Sequence, residues 1–163
     1  GSEMCIRDRA IYGYTACFRE TNDSIFLNFA KDIADMIMDR VKTEDAIPYW
    51  DYDAPVTKET PRDVSAASVT ASAMIELSTM VPDGLKYLDY AEKILKSLSS
   101  DAYLAKVGDN QGFILMHSVG SLPNGSEIDT PLNYADYYYL EALKRFMELK
   151  KLKVENGELR VIQ

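Results

Sequence analysis

This chain of 163 residues is poor in the residues that build metal centres and disulfide frameworks, with one histidine and two cysteines. A single histidine without a neighbouring cysteine argues against a metal site, and we expect no metal or other cofactor. Cys5 lies in an unpatterned leader and Cys17 in a helical pattern, so a disulfide between them is not expected. We predict instead that Cys17 is a buried free thiol.

Basic charge and long apolar runs are also scarce. Lys and Arg number 18 against 26 Asp and Glu, which gives a formal net charge of -8. That balance argues against binding to nucleic acid or to an anionic membrane surface, because both need clustered cations. No apolar run approaches the roughly 20 residues that span a bilayer, and the first residues lack the layout of a secretory signal. The compartment is left open.

Nucleotide-binding and hydrolase motifs are missing as well. Gly108 and Gly112 have no lysine and hydroxyl beside them, which a phosphate-binding loop requires, and no Ser-His-Asp order can be read. The chain does have 47% hydrophobic residues, an ordinary content for one globular domain.

Apolar residues recur at helical spacing in five segments. Asp23 or Ser24 would cap the second helix, Asp63 the third, and Thr130-Pro131 would start the fifth. Segments 24–42 and 85–99 are charged on one side, whereas 10–20, 64–80 and 132–150 are rich in small or aromatic residues. The alternation predicts an all-α array of helical hairpins, with an inner and an outer layer.

Segment 64–80 carries few charges, so we expect other helices to surround it on most sides. Its Asp63 end should face solvent. Residues 1–9 are interpreted as a tag or junction leader, 10–151 as the helical domain, and 152–163 as a charged tail with a turn at 156–157.

Several polar and aromatic side chains are candidates for chemistry. His117, on a Gly- and Pro-punctuated loop, could donate to a polar ligand; we favour a histidine that ties its own loop through backbone carbonyls. Asp63 is interpreted as a cap rather than a catalyst, and Asp51 and Asp53 as loop anchors or solvated charges. Trp50 fits stacking on a sugar face and packing in the rim equally well.

Four segments together resemble the unsaturated glucuronyl hydrolases, glycoside hydrolase family 88. They are AIYGYTACFRET at 10–21, IPYWDYDAP at 47–55, RDVSAASVTASAMIELS at 62–78 and HSVGSLPNGSEIDTPLNYADYYYLEALKR at 117–145. The resemblance implies an (α/α)6 barrel, of which this chain would form about half, as an incomplete toroid.

The resemblance also implies an activity. Such enzymes remove the 4,5-unsaturated uronic acid from oligosaccharides that polysaccharide lyases leave, such as those from chondroitin, hyaluronan or heparin. An aspartic acid donates a proton to the double bond, water adds at the neighbouring carbon, and the hemiketal opens. The parent enzyme would lie in the cytoplasm or periplasm of a bacterium.

The chain departs from the family pattern at its start. An Arg-Gly-Gln-Ala-Trp run usually precedes the segment at 10–13, and the stretch at 5–9 replaces it here; the family's catalytic aspartates lie in the N-terminal half. We therefore expect a C-terminal fragment that is inactive alone, has no catalytic residue and forms a homo-oligomer through exposed inner-helix surface. The resemblance makes the following residues candidate substrate contacts: Trp50, Arg62, Asp63, His117 and Ser118.

Two alternatives are weighed against this interpretation. A non-enzymatic helical-hairpin interaction module would need an internal repeat of fixed period, and the hairpins differ in length and loop composition. A fragment of an unsaturated rhamnogalacturonyl hydrolase would share the barrel. The segments at 63–67 and 117–129 look closer to the glucuronyl branch.

Overall fold

The computed structural model describes the backbone of residues 3–53, 55–57, 59–121 and 125–155, and the side chains of 9–53, 55–57, 59–120 and 125–152. These residues form five α-helices and one small antiparallel hairpin. In chain order the elements are α1 (Glu3–Thr21), α2 (Ser24–Arg40), α3 (Val64–Ser78), α4 (Leu85–Leu98), β1 (Ser118–Ser121), β2 (Ser126–Thr130) and α5 (Asn133–Glu155).

Aspartate caps set the starts of α2 and α3. Asp23 accepts a hydrogen bond from the backbone N–H of Ile25 at 3.0 Å, and Asp63 accepts one from the backbone N–H of Ser65 at 3.0 Å. Both aspartates have extended backbone, as N-cap residues require. The caps predicted from the sequence are confirmed at both helices.

Helix α3 is the centre of the packing. Thirteen of its 15 residues are buried, and it packs against α1, α4 and α5, while α2 packs mainly on α1. The small side chains of α3 allow these close neighbours. The two-layer arrangement is confirmed, because α1, α3 and α5 lie side by side and α2 and α4 lie against α1 and α3.

Some element boundaries differ from the prediction. Helix α1 begins at Glu3 and so includes most of the expected leader. Helix α5 begins at Asn133 and reaches Glu155, because the carbonyl of Leu132 accepts the first helical hydrogen bonds and Thr130 ends β2. The turn predicted at 156–157 lies outside the described residues. Within the described part of the chain, no helix has the length and apolarity that a membrane span requires.

Two burial predictions were wrong. Cys17 is exposed, because Ile11 and Thr15 define the buried side of α1 and two helical residues turn the chain about 200° away from Thr15. The Asp63 end of α3 does not face solvent, since Asp63 is only 4% exposed. The segment leading into β1 covers it: the backbone N–H of Val64 donates to the carbonyl of His117 at 3.2 Å.

Candidate functional site

Segments far apart in the sequence converge on the first turn of α3. The loop at 41–62 precedes α3 in the chain and reaches this turn from the end of α2. The β1–β2 hairpin follows α4 in the chain and packs against the same turn. The backbone N–H of Asp63 donates to the carbonyl of Pro48 at 3.0 Å, and that of Val64 donates to His117. The candidate pairs at 62–63 and 117–118 therefore lie at the same end of the inner helices.

Asp63 joins α3 to the hairpin. Its Oδ1 accepts hydrogen bonds from the Ser65 backbone N–H at 3.0 Å, from the Ser65 hydroxyl at 2.7 Å and from the backbone N–H of Val119 at 3.3 Å. Burial raises the pKa of this carboxyl, and these hydrogen bonds only partly oppose the increase. The contacts make Asp63 a buried clamp between two elements.

His117 is held by a side chain across the hairpin. Its Nδ1 lies 2.6 Å from Oδ1 of Asp129, so the loop is tied through a carboxylate and not through the backbone carbonyls that we favoured. Both residues have left-handed backbone, with φ of 67° and 51°, a conformation that costs free energy and often occurs at functional sites. Within the described residues, no group of three or more His, Cys, Asp or Glu could hold a metal ion. The His117 side chain remains 44% exposed.

Ser118 differs from its neighbour His117 in being fully buried. Among the described residues its hydroxyl has no hydrogen-bond partner. A buried hydroxyl without a partner costs free energy. Ser118 therefore offers a polar group that an ordered water or a ligand would stabilise.

Arg62 is the last residue of the 41–62 loop and directly precedes Asp63. Its Nη1 donates to the carbonyl of Ile47 and is 3.4 Å from Oδ1 of Asp45. Its guanidinium also lies over the ring of Tyr49, 4.3 Å from the centroid. These contacts fix Arg62 in position, with 28% of its side chain exposed.

Trp50, on the same loop, is half-buried.

The structure brings to the site further residues that the sequence interpretation did not select as substrate contacts. Tyr103 donates its hydroxyl to Asp45. Although burial acts to raise it, the hydrogen bonds from Tyr103 and from the backbone of Ile47, with the charge of Arg62, hold the pKa of Asp45 below its usual value. Asp136 accepts the backbone N–H groups of residues 114 and 115 at 2.8 and 2.9 Å. The position of Asp136 in the first turn of α5, where an acidic side chain is favoured, was a sequence signal that could have identified it. No sequence signal pointed to Asp45 or Tyr103.

The curated proteins that resemble this chain are hydrolases. No protein-family model matches it. It is 45% identical over 141 residues to an unsaturated glucuronyl hydrolase of Formosa agariphila and 31% identical over 139 residues to one of Bacillus sp. strain GL1. These alignments cover 86% and 83% of this chain, but only 35% and 36% of the two relatives.

Solved structures give the same result. An unsaturated glucuronyl hydrolase specific for heparin shares 57% identity and a TM-score of 0.86, covering 89% of this chain and 39% of that one. The enzyme of Bacillus sp. GL1 gives 27% identity and a TM-score of 0.78, over 93% of this chain and 38% of its own. The chain thus spans little more than a third of these helical (α/α)6 barrels. The resemblance seen in the sequence is confirmed: in sequence and fold the chain matches a part of known unsaturated glucuronyl hydrolases.

Proposed function

We propose that this chain forms part of an enzyme that removes 4,5-unsaturated uronic acid from lyase-generated glycosaminoglycan oligosaccharides. The observation that carries the proposal is the 57% identity to the heparin-specific hydrolase over 89% of the chain. Other relatives are unsaturated chondroitin disaccharide hydrolases of streptococci, at 28–29% identity. These relatives act on different sugars, but all of them act on an unsaturated unit. The shared reaction is therefore better supported than any one sugar as the substrate.

The reaction would hydrate an enol ether. A carboxylic acid protonates the double bond, water adds to the neighbouring carbon, and the hemiketal opens to release the sugar. By resemblance, the acid comes from the N-terminal half of such enzymes and not from these 163 residues. This chain would contribute residues to the substrate site: Trp50, Arg62, Asp63, His117 and Ser118.

The candidate contacts have different parts in this proposal. His117 and Arg62 are partly exposed and would donate hydrogen bonds to hydroxyl or carboxylate oxygens of the substrate. Ser118 is fully buried, so its hydroxyl, unpaired within the described residues, would act through an ordered water and not by direct contact. Asp63 is almost wholly buried, so it would act by holding the hairpin in place. Trp50 would supply a ring at the rim.

The chain alone is expected to be catalytically silent. An unsaturated chondroitin disaccharide absorbs in the ultraviolet through its conjugated double bond, and loss of that absorbance measures turnover. Purified chain should leave the absorbance unchanged. Steady turnover that follows the chain through purification would contradict both silence and the assignment of the acid to another part of the enzyme.

A chimera tests the proposed function positively. Residues 10–151 would replace the matched segment of the heparin-specific hydrolase, to which the chain is 57% identical. We expect a folded chimera that hydrolyses unsaturated heparin disaccharide, with the parent hydrolase as the control. A chimera with native circular dichroism and cooperative melting but no turnover would favour the helical-hairpin interaction module. Turnover of an unsaturated rhamnogalacturonyl disaccharide alone would favour the other hydrolase family.

We also propose that the isolated chain self-associates through α5. Tyr137, Leu140 and Met147 are 59%, 50% and 58% exposed, and their spacing puts them on one face of the helix. Exposed apolar surface of this kind drives association. Light scattering over a concentration series should give a mass above that of the monomer, and Leu140→Glu should lower it. Val107→Glu, at a fully exposed loop position, is the matched control. A monomeric wild-type chain throughout the series would contradict the proposal.

A further inference from the structure

The loop at 41–62 encloses a groove beside the candidate site. An isolated antiparallel bridge between Tyr49 and Arg62 folds the loop back toward the end of α2. The resulting groove has a volume of about 710 Å³, within the range of roughly 300–1,000 Å³ found for small-molecule sites. This space admits more than one sugar ring.

Polar groups of the groove are held in place before any ligand arrives. Arg40 donates through Nη1 to both carboxylate oxygens of Asp53, at 2.9 and 3.0 Å. Arg62 is fixed by the carbonyl of Ile47 and the carboxylate of Asp45. Preorganised donors and acceptors reduce the entropy lost on binding. Arg62 is therefore firmly positioned, whereas the Arg40–Asp53 pair, at 42% and 70% exposure, is held more weakly.

Aromatic and apolar side chains complete the wall. Tyr49 and Tyr52 both line the groove and are half-buried. One face of the Tyr49 ring is covered by the guanidinium of Arg62, whereas Val56 at the rim is 63% exposed. Rings with a polar hydroxyl suit ligands that have an apolar face and a polar edge.

The charges of the groove balance. Three cations, Arg40, Lys42 and Arg62, line it together with three carboxylates, Glu44, Asp45 and Asp51. A sugar with several sulfates on each disaccharide would meet as much repulsion as attraction, whereas unsulfated chondroitin has one carboxylate per disaccharide and is otherwise rich in hydroxyls. An apolar ligand would strip water from charged groups. A ligand rich in hydroxyls can bind both the cations and the carboxylates of the groove, because each hydroxyl donates and accepts hydrogen bonds.

Tyr103 links the groove to the candidate site. Its hydroxyl donates to Asp45 in the groove, and its ring meets the imidazole of His117 edge-on, with centroids 6.3 Å apart. Arg62 lines the groove and directly precedes Asp63. We propose that the groove is a distal subsite, which binds the hydroxyl-bearing sugar units of the oligosaccharide that follow the cleaved uronate. The inference rests on the proposed function, since it takes its ligand class from that reaction.

A titration of the ¹⁵N-labelled chain tests the groove directly. The probe is a saturated, unsulfated chondroitin hexasaccharide, which has no unsaturated end to be cleaved. We expect amide shifts at residues 41–52 and 62. Tyr52→Ala should weaken binding about tenfold, as loss of an aromatic contact of roughly 1.4 kcal/mol implies. Ile25→Ala, at an exposed position in the first turn of α2 outside the groove, should bind as wild type.

A second variant and a second ligand keep the test decisive if Tyr52→Ala unfolds. Asp51→Asn removes one negative charge from the loop, and it should weaken binding of the unsulfated probe by a few fold. The same change should reduce the difference in affinity between the unsulfated and the sulfated hexasaccharide. Absence of shifts, shifts confined to the hairpin, or tighter binding of the sulfated probe to wild type would overturn the subsite. Turnover by the chimera is measured separately, so failure of the groove leaves the proposed reaction standing, and failure of the reaction is recognised by its own measurement.

Discussion

Asp63→Ala is expected to lower the free energy of unfolding by about 2–4 kcal/mol. The substitution removes the N-cap of α3, and it leaves the backbone N–H groups of Ser65 and Val119 without their acceptor in a buried position. Urea denaturation followed by circular dichroism at neutral pH measures the loss. Asp23→Ala is the matched control, because Asp23 caps α2 at an exposed site with one such bond, and it should cost only about 1 kcal/mol. Equal losses in the two variants would contradict the clamp.

The contribution of the Asp63 carboxyl to the free energy of unfolding should fall as pH rises. Burial raises the pKa of Asp63 in the folded chain above the ordinary 3.8. The folded state then holds its proton more tightly than the unfolded state, so this group's contribution to stability is fully present below about 3.8 and is lost as pH rises through the folded-state pKa. Asp63→Asn keeps an acceptor oxygen and cannot ionise. Its free energy of unfolding should therefore vary less with pH than that of wild type across this range, and an identical pH dependence would contradict the assignment.

Much of the helical fold follows from local signals. Asp23 and Asp63 begin helices because their short carboxylates satisfy backbone N–H groups that the first turn leaves open. The small residues of α3 indicated a helix enclosed by others, and the structure buries nearly all of it. Helix ends follow less closely from local signals. Pro131 fits the first position of a helix, but α5 begins two residues later, at Asn133.

The hairpin escaped sequence analysis for a physical reason. Strand β2 is exposed along most of its length, so it shows none of the alternation of apolar and polar residues that identifies a half-buried strand. Pairing of His117 with Asp129 depends on a turn and on left-handed backbone at both residues, which neither residue type signals. The convergence of the 62–63 and 117–118 pairs came instead from resemblance to the family.

Contacts across long sequence separations were out of reach as well. Tyr103 and Asp45 are 58 residues apart, and a tyrosine and an aspartate at that spacing predict nothing on their own. The same limit applies between the inner helices, where Ser72 donates to Glu141 and Tyr12 donates to the same carboxylate at 3.0 Å. Burial and this bond raise the pKa of Tyr12 to about 12.

Two cations, Arg145 and Arg19, balance the carboxylates of this inner-helix network, and Nη1 of Arg19 lies 2.7 Å from Oε1 of Glu76. Nη1 of Arg145 donates to the carbonyl of Ser72 at 2.9 Å and lies 3.1 Å from Glu76, while its Nη2 is 3.5 Å from Glu141. Only 20% of the Arg145 side chain is exposed, and the two carboxylates are 14% and 19% exposed. Helices α1, α3 and α5 therefore share one largely buried charge cluster.

Arg145→Met should lower the free energy of unfolding by about 2–4 kcal/mol, because it leaves the poorly solvated Glu141 without its cation and leaves Glu76 with Arg19 alone. Lys144→Met, one residue earlier at a site 75% exposed, should change stability by less than about 0.5 kcal/mol. Urea denaturation of Arg145→Met, Glu141→Gln and the double variant closes a thermodynamic cycle. We expect the double variant to be more stable than Arg145→Met alone, with a coupling free energy of at least about 1 kcal/mol. Additive losses would mean that Arg145 stabilises the inner helices by packing and not by its charge.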